Sequence, residues 1–310
     1  KMTSTIKVDT ISEKTSANGV AIDGLTIKDG GITATTGAIV FNEASADLDF
    51  RVESNGNTHM LFVDGGNNRV GIGTTPDLGA GLHIRTADTG AASNNDADEL
   101  VLEQNGACGI SILSANDSQG NIFFGDDGDN DVGRIIYNHN NNNMSFRANA
   151  TEFLRSDEDG HVTLPKQPAF LAKPTNNQTD FNQGQTLVIV MDNEIYDVNG
   201  DFASNAFTAP VTGKYAFQYQ VQINDISTQD SGTYYYIEIN TSNRVFYELS
   251  SINAAIGSSS GQNYFCFTGS VTADMDASDT CNLRVVMGGT SGSSPSDISN
   301  NSHFSGHLVC

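Results

Sequence analysis

The sequence contains no tryptophan, only 6 prolines and only 4 cysteines. The cysteines form no CxxC pair, so a disulfide framework of the kind that stabilises small secreted domains is excluded. Cys266 and Cys310 stand among apolar residues, which favours buried, reduced thiols. A bridge between Cys266 and Cys281 stays open on the sequence alone.

Basic residues and long apolar runs are also scarce. Lysine and arginine number 15 against 37 acidic residues, which gives a formal net charge of −22. This negative charge repels nucleic-acid backbones and anionic lipids, so we expect no nucleic-acid partner and no membrane insertion. No apolar run is long enough to cross a bilayer, and no stretch has the pattern of a signal peptide. Hydrophobic residues make up 37% of 310 residues, which favours two or three domains with thin cores that subunits share.

Short β-type runs separated by polar turns fill the chain, and no helical apolar stripe is found. Residues 1–90 carry runs of about four residues, which rarely stand alone and are typical of a slender β shaft formed by three chains. These runs are residues 5–8, 37–41, 61–63, 69–72 and 82–84. A weak repeat relates residues 50–72 to residues 146–164: each has Phe-Arg, a strand, an acidic-Gly or Gly/Asn turn, and a second strand.

Two further regions follow the shaft. Residues 91–167 are predicted to be a middle β module, a small sandwich or prism, with strands near residues 100–102, 109–113, 121–124 and 134–137. From residue 168 to 310 the strands lengthen and become aromatic. Tyr215, Phe217, Tyr219 and Val221 alternate with polar or small residues, as in a strand that is buried on one face. The fold class is therefore predicted to be all-β, ending in a β-sandwich.

The last region resembles the C1q and tumour-necrosis-factor-like jelly roll. The resemblance rests on Phe207, Gly213, Tyr215, Phe217 and Tyr219 at the family's spacing, and on Phe304 and Gly306 in the final strand. It implies that these residues form the core of the head and of its trimer, and that the chain is a homotrimer. Tyr196 lies four residues too far upstream for the pattern, which indicates a loop insertion around residues 199–205.

The shaft resembles the fibre proteins of tailed bacteriophages. The resemblance rests on residues 6–11, 23–30 and 68–75, with Pro76 and residues 82–84 beyond them. It implies a virion component, assembled in the host cytoplasm, that contacts other virion proteins at its N-terminal side. A part of the capsid or neck without a receptor is the first alternative, and an extracellular cellular adhesin with a C1q-like head is the second.

Two clusters are candidate metal ligands. Asp127, Asp129 and Asp131 alternate as in a calcium loop, but Val132 and Asn138 stand where that loop needs Gly and Glu, so a turn of solvated acids is the simpler interpretation. His303 and His307 would share one face of a strand, where three chains could supply six imidazoles. Two ordinary strand residues are the simpler interpretation here too, and no cofactor is expected.

The sequence has no nucleophile elbow, phosphate loop or HExxH, so we expect no enzyme activity. We expect multivalent adhesion to a host-surface glycan or protein instead. Small polar residues in two loops suit adaptable hydrogen bonding, and these candidate receptor contacts are Gly257, Ser258, Ser259, Ser260, Gly261, Thr290, Ser291, Ser293 and Ser294.

Overall fold

The structure is a computed structural model that describes residues 47–226, 234–251, 264–289 and 295–310. These residues form 23 β-strands, in agreement with the predicted all-β class. Within the same ranges no helix is long and apolar enough to span a membrane. The chain divides into two compact units, Lys1–Ser111 and Ile112–Cys310. The shaft strands predicted at 5–8 and 37–41 lie outside the described residues.

The first unit contains one five-stranded sheet, here called sheet A. Its strands are β1 (Phe50–Val52), β2 (Leu61–Asp64), β3 (Arg69–Ile72), β4 (Leu82–Arg85) and β5 (Leu100–Glu103), in that order. The first three pair antiparallel, whereas β3, β4 and β5 pair parallel. β4 and β5 pair directly, one on each side of residue 90.

The second unit begins with a five-stranded antiparallel meander, sheet B. Its strands are β6 (Gln119–Phe124), β7 (Gly133–Asn138), β8 (Asn143–Ala148), β9 (Thr151–Ser156) and β10 (Val162–Thr163). The two copies of the predicted repeat take the same form, since β1–β3 and β8–β10 are both three-stranded antiparallel meanders. The prediction of a strand at residues 109–113 is wrong. That stretch joins no ladder, since β6 is an edge strand with β7 as its one neighbour in the sheet, and Leu113 is 90% exposed.

The rest of the second unit is a sandwich of two antiparallel sheets, here called the head. Sheet C has the order β12-β22-β17-β23-β11-β14, and β20 pairs with the other edge of β17. Its strands are β11 (Ala169–Lys173), β12 (Gln178–Phe181), β14 (Asn193–Val198), β17 (Gly213–Asn224), β20 (Phe265–Met275), β22 (Ser296–Ile298) and β23 (His303–Leu308).

Sheet D covers sheet C and has the order β15-β16-β21-β18-β19, with β13 paired to β21. Its strands are β13 (Thr186–Val188), β15 (Phe202–Ala203), β16 (Ala206–Thr208), β18 (Tyr234–Thr241), β19 (Val245–Ser251) and β21 (Thr280–Gly288). The insertion predicted at residues 199–205 contains β15, which forms a hairpin with β16. The strict burial alternation of β17 places every second side chain between the two sheets.

Candidate functional site

The aromatic core fixes both sheets of the head. Phe170 is fully buried, and its ring stacks on Phe202 and Phe207 at centroid distances of 4.6 and 5.1 Å. Phe304 meets Phe170 edge-on at 5.0 Å and stacks on Phe217 at 5.8 Å. These rings come from both sheets, so their packing determines where every surface strand of the head lies.

Two glycines of the C1q-like motif, Gly213 and Gly306, let neighbouring parts of the chain lie very close to the backbone. A Cβ on Gly213 would lie 2.7 Å from the Cys310 carbonyl oxygen, so only glycine lets the chain end run beside β17. A Cβ on Gly306 would lie 2.5 Å from Phe217 Cδ1 and 2.8 Å from Phe170 Cε1. The aromatic rings of the core therefore occupy the space that a side chain at 306 would need.

Gly306→Ala is expected to lower the free energy of unfolding of the head by about 1–3 kcal/mol, because the added methyl overpacks the core. Chemical denaturation followed by circular dichroism measures the change. Gly128→Ala is the control, since the nearest atom to a Cβ there is Asp126 Oδ1 at 3.4 Å, in an exposed turn. Equal stability of the two variants would contradict the inference that core rings fill the space beside Gly306.

Three tyrosines lie on the outer face of sheet D, and they form what we call the tyrosine cluster: Tyr234, Tyr236 and Tyr247. The ring of Tyr236 lies 5.1 Å from that of Tyr234 and 5.6 Å from that of Tyr247. Tyr247 is 64% exposed. Burial, followed by the influence of Tyr234, raises the pKa of Tyr236.

The cluster was missed by the sequence analysis. The available signal was the run Tyr234-Tyr235-Tyr236, in which alternation must place the outer two rings on one face and Tyr235 on the other. Tyr235 is indeed buried, and its hydroxyl lies 2.8 Å from Ser296 Oγ.

An ion pair adjoins the tyrosine cluster. Glu238 is opposite Tyr247 on β19 and opposite Arg284 on β21, so all three side chains share the outer face. Arg284 Nη2 lies 2.8 Å from Glu238 Oε2. This face therefore combines aromatic rings and hydroxyls with a carboxylate and a guanidinium, groups that suit sugars and protein surfaces.

The outer face of sheet C has a different character. A groove of about 580 Å³ is lined by polar, uncharged groups together with one histidine: Gln218, Tyr219, Gln220, Thr268, Gly269, Ser270, His303 and Ser305. His303 and His307 both lie on this face, opposite Gln220 and Ala216 of β17. A second groove of about 280 Å³ opens between the edge strands β19 and β20, where Tyr219, Phe246 and Val271 line it.

The candidate calcium ligands lie in the turn between β6 and β7. Asp129 Oδ1 accepts the Asp131 amide hydrogen, and Asp131 pairs with Arg134 at 2.5 Å. Neighbouring Asp126 accepts two further backbone amides of the same turn, and these hydrogen bonds lower its pKa. The carboxylates thus satisfy their own turn, and the structure does not gather Asp127, Asp129 and Asp131 around one point.

Across the described ranges, the ligand atoms of three acidic or histidine residues converge in one place, at Asp157, Asp159 and His161 in the turn before β10. His161 Nδ1 lies 2.9 Å from Asp157 Oδ2. This hydrogen bond lowers the pKa of Asp157. All three residues are exposed, and their mutual hydrogen bonds account for the cluster.

The cysteines differ from expectation. All four are free, so the Cys266–Cys281 bridge is absent. Cys281 is buried and its burial raises the pKa of the thiol, but Cys266 and Cys310 are exposed rather than buried. Cys266 lies opposite Gln222 on the outer face of sheet C, because the alternation of β20 turns it away from the core. The candidate receptor loops at 257–261 and 290–294 lie outside the described residues.

Comparison with known proteins identifies one domain. Residues 169–309 match the C1q domain, and the predicted jelly roll is thereby confirmed. The globular domain of zebrafish complement 1qA protein is 17% identical, with 46% of this chain and 98% of that chain covered and a TM-score of 0.34. A crystal structure of murine APRIL at pH 8.5 is 10% identical, with 46% and 100% covered and a TM-score of 0.32. No curated protein matches the chain.

Proposed function

From the C1q domain at residues 169–309, we propose that the chain is a structural fibre protein of a tailed-phage virion, a homotrimer whose head adheres to the host surface. The shaft motifs named above and the short strands of sheet A support the fibre role. C1q domains are binding domains and commonly form trimers. The observation that carries the adhesive role is the tyrosine cluster on the outer face of a C1q head.

The outer face of sheet C supports trimer formation. Each chain carries a net charge of −22, so three copies can meet only where acidic residues are few. Cross-strand neighbours Gln218, Ser270 and Ser305 make the centre of this face uncharged. We therefore assign the subunit contacts of the head to sheet C, which leaves the outer face of sheet D for a ligand.

The tyrosine cluster then supplies three copies of a binding surface on one trimer. Tyrosine rings offer apolar faces to a sugar or protein while their hydroxyls stay hydrogen-bonded, and Glu238 with Arg284 adds directional polar contacts. Three weak sites on one rigid axis raise the overall affinity without any new contact. The loops at 257–261 and 290–294 are proposed as additional contacts.

Tyr234→Ala combined with Tyr247→Ala is expected to weaken binding to immobilised bacterial surface polysaccharides or host cells about tenfold or more, since stacking faces are lost at every copy. Phe123→Ala is the control, because Phe123 is an aromatic residue that is 50% exposed on sheet B, outside the head. Light scattering should give three times the 32.9 kDa chain mass for all three proteins.

Unchanged binding by the double variant would reject the tyrosine cluster as the contact surface. Replacement of both loops tests the loop contacts in the same assay. Labelling the protein on particles decides its location: signal on the capsid or neck, together with no binding to cells, would replace the adhesive role by a purely structural one.

A further inference from the structure

One face of sheet A carries no charged residue. The paired residues on this face are all apolar in every strand: Phe50, Val52, Leu61, Val63, Val70, Ile72, Leu82, Ile84, Leu100 and Leu102. None of them is fully buried, and Leu100, Val52 and Ile72 are 51%, 45% and 39% exposed. Apolar side chains therefore cover this face from edge to edge.

Sheet B has a face of the same kind. Cross-strand pairing places Ile122, Ile135, Phe146 and Leu154 in one row across four strands. Phe124, Tyr137, Met144 and Val162 flank this row on the same face, which also lacks any charged residue. Val162, Phe124 and Ile122 are 63%, 56% and 46% exposed.

The charged residues and the buried ones share the opposite faces. In sheet A the opposite face holds His83, Glu103 and Arg85, and in sheet B it holds Arg134 and Arg147. Apart from Pro76, the buried apolar side chains of described residues 47–167 are Phe62 and Ile136, one on each charged face. The hydrophobic core cluster itself begins at Phe170, in the head. The buried side chains of each sheet thus lie on its charged side, and its apolar side is exposed.

We propose that the charge-free faces of sheets A and B pack against the same faces of two other copies of this chain, so that three chains share a core at each sheet. This inference rests on the proposed homotrimer and extends it from the head to residues 47–167. A single exposed β-layer with an apolar face is not stable in water, and a second layer must cover it.

Another copy of this chain fits these faces better than a different partner. Chains of charge −22 repel one another over most of their surface, and the charge-free faces are where they can approach. Strand spacings of about 4.8 Å and rises of about 3.3 Å per residue give about 300 Å² for sheet A and about 400 Å² for sheet B. Because each face is shared between two neighbouring copies, these areas are smaller than the roughly 800 Å² per partner of a stable two-body interface, and they add to the contacts that the head makes.

The linker to the head holds sheet B in place for this packing. Only residues 164–168 separate β10 from β11. Two hydrogen bonds fix them to the head: Gln167 Nε2 donates to the Leu308 carbonyl at 2.8 Å, and Asn199 Nδ2 donates to the Lys166 carbonyl at 3.1 Å. A trimeric head therefore brings three copies of sheet B together at high effective concentration.

Two adjacent phenylalanines give a matched pair of variants. Phe124 lies on the charge-free face and is 56% exposed, whereas Phe123 lies on the charged face, is 50% exposed and has the Arg134 guanidinium 5.6 Å from its ring. In the full-length protein, Phe124→Glu should lower hydrogen-exchange protection of the β6–β10 amides about tenfold, because it places three carboxylates in the shared core. Phe123→Glu should leave that protection unchanged, since its carboxylate meets Arg134.

Methionine oxidation gives a second measurement that needs no variant. Met144, on the charge-free face, and Met60, outside both faces, are 39% and 44% exposed in a single chain. With dilute peroxide, Met144 of the wild-type protein should oxidise about tenfold more slowly than Met60, because other copies cover it. Equal rates would overturn the inference.

The wild-type mass separates this inference from the proposed function. A monomer or dimer by light scattering would end both. A trimer in which Met144 and Met60 oxidise alike, or in which the two phenylalanine variants behave alike, would leave the trimeric head intact and reject the shared cores. A trimer with Met144 protected and only Phe124→Glu impaired supports the inference.

Discussion

Phe170→Ala is expected to lower the free energy of unfolding of the head by about 3–5 kcal/mol. The side chain is fully buried and lies within 5.1 Å, centroid to centroid, of three other rings. Removing it leaves a cavity between the two sheets, because rings held by strands of both sheets cannot all move into the space. Urea denaturation of the full-length protein, followed by circular dichroism and tyrosine fluorescence, measures the loss.

Phe123→Ala is the control for this experiment, because Phe123 is half exposed on sheet B and should cost less than about 1 kcal/mol. If Phe170→Ala lost no more than the control, the aromatic core would not be what joins the two sheets. The outer faces of sheets C and D would then need another source of rigidity.

His83→Leu is expected to destabilise sheet A by about 1–3 kcal/mol, since Glu103 Oε2 loses the hydrogen bond of a buried partner while Oε1 keeps those from Thr89. His83 is fully buried, and its Nε2 lies 3.0 Å from Glu103 Oε2 while its Nδ1 lies 3.3 Å from Asp77 Oδ1. Arg85 pairs with Asp77 at 2.9 Å at the edge of the same network. Hydrogen exchange of the β3–β5 amides reports on this sheet separately from the head.

Asp77→Asn provides the comparison, because the Asp77 side chain is 54% exposed and such pairs contribute less than about 1 kcal/mol. A His83→Leu protein as stable as Asp77→Asn would show that leucine fills the site without loss.

The same network makes the stability of sheet A sensitive to acid. Hydrogen bonds from Thr89, the backbone amide foremost, hold the pKa of Glu103 below its usual value against the opposing effect of burial. The folded-state pKa therefore lies below that of the unfolded chain. The resulting stabilisation is present above the unfolded value, about 4.3, and is lost as pH falls through the lowered pKa. In the wild type, amide protection in β4 and β5 should decrease when the pH is lowered below about 4. Glu103→Gln should make this protection less dependent on pH.

Much of the fold could be predicted because the alternation of apolar and polar residues along a strand can be read from a short stretch of sequence. Tyr215, Phe217 and Tyr219 indicate one buried face of β17 by their spacing alone, and the runs at 69–72 and 82–84 are strands. The stretch at 109–113 shows the limit, because an apolar run becomes a strand only where another strand pairs with it. The parallel pairing of β3, β4 and β5 depends on which distant segments meet, and no local pattern encodes that.

The candidate site was harder to predict than the core. Spacing made Asp127, Asp129 and Asp131 candidate ligands, but Asp129 accepts an amide of its own turn and Asp131 pairs with Arg134. Asp157 and His161 come together only because a turn folds back on itself. The tyrosine cluster joins β18 to β19 across a hairpin, so Tyr247 could be placed beside Tyr236 only after their register was known.

The first and last strands of the head lie side by side. Ala169 is opposite His307, and the Leu308 amide donates to the Pro168 carbonyl at 3.0 Å. The chain therefore enters and leaves this jelly roll at a single place, with both junctions on one side. A graft of residues 168–310 therefore has to match a host chain at one place only, whichever end of the jelly roll carries the junction.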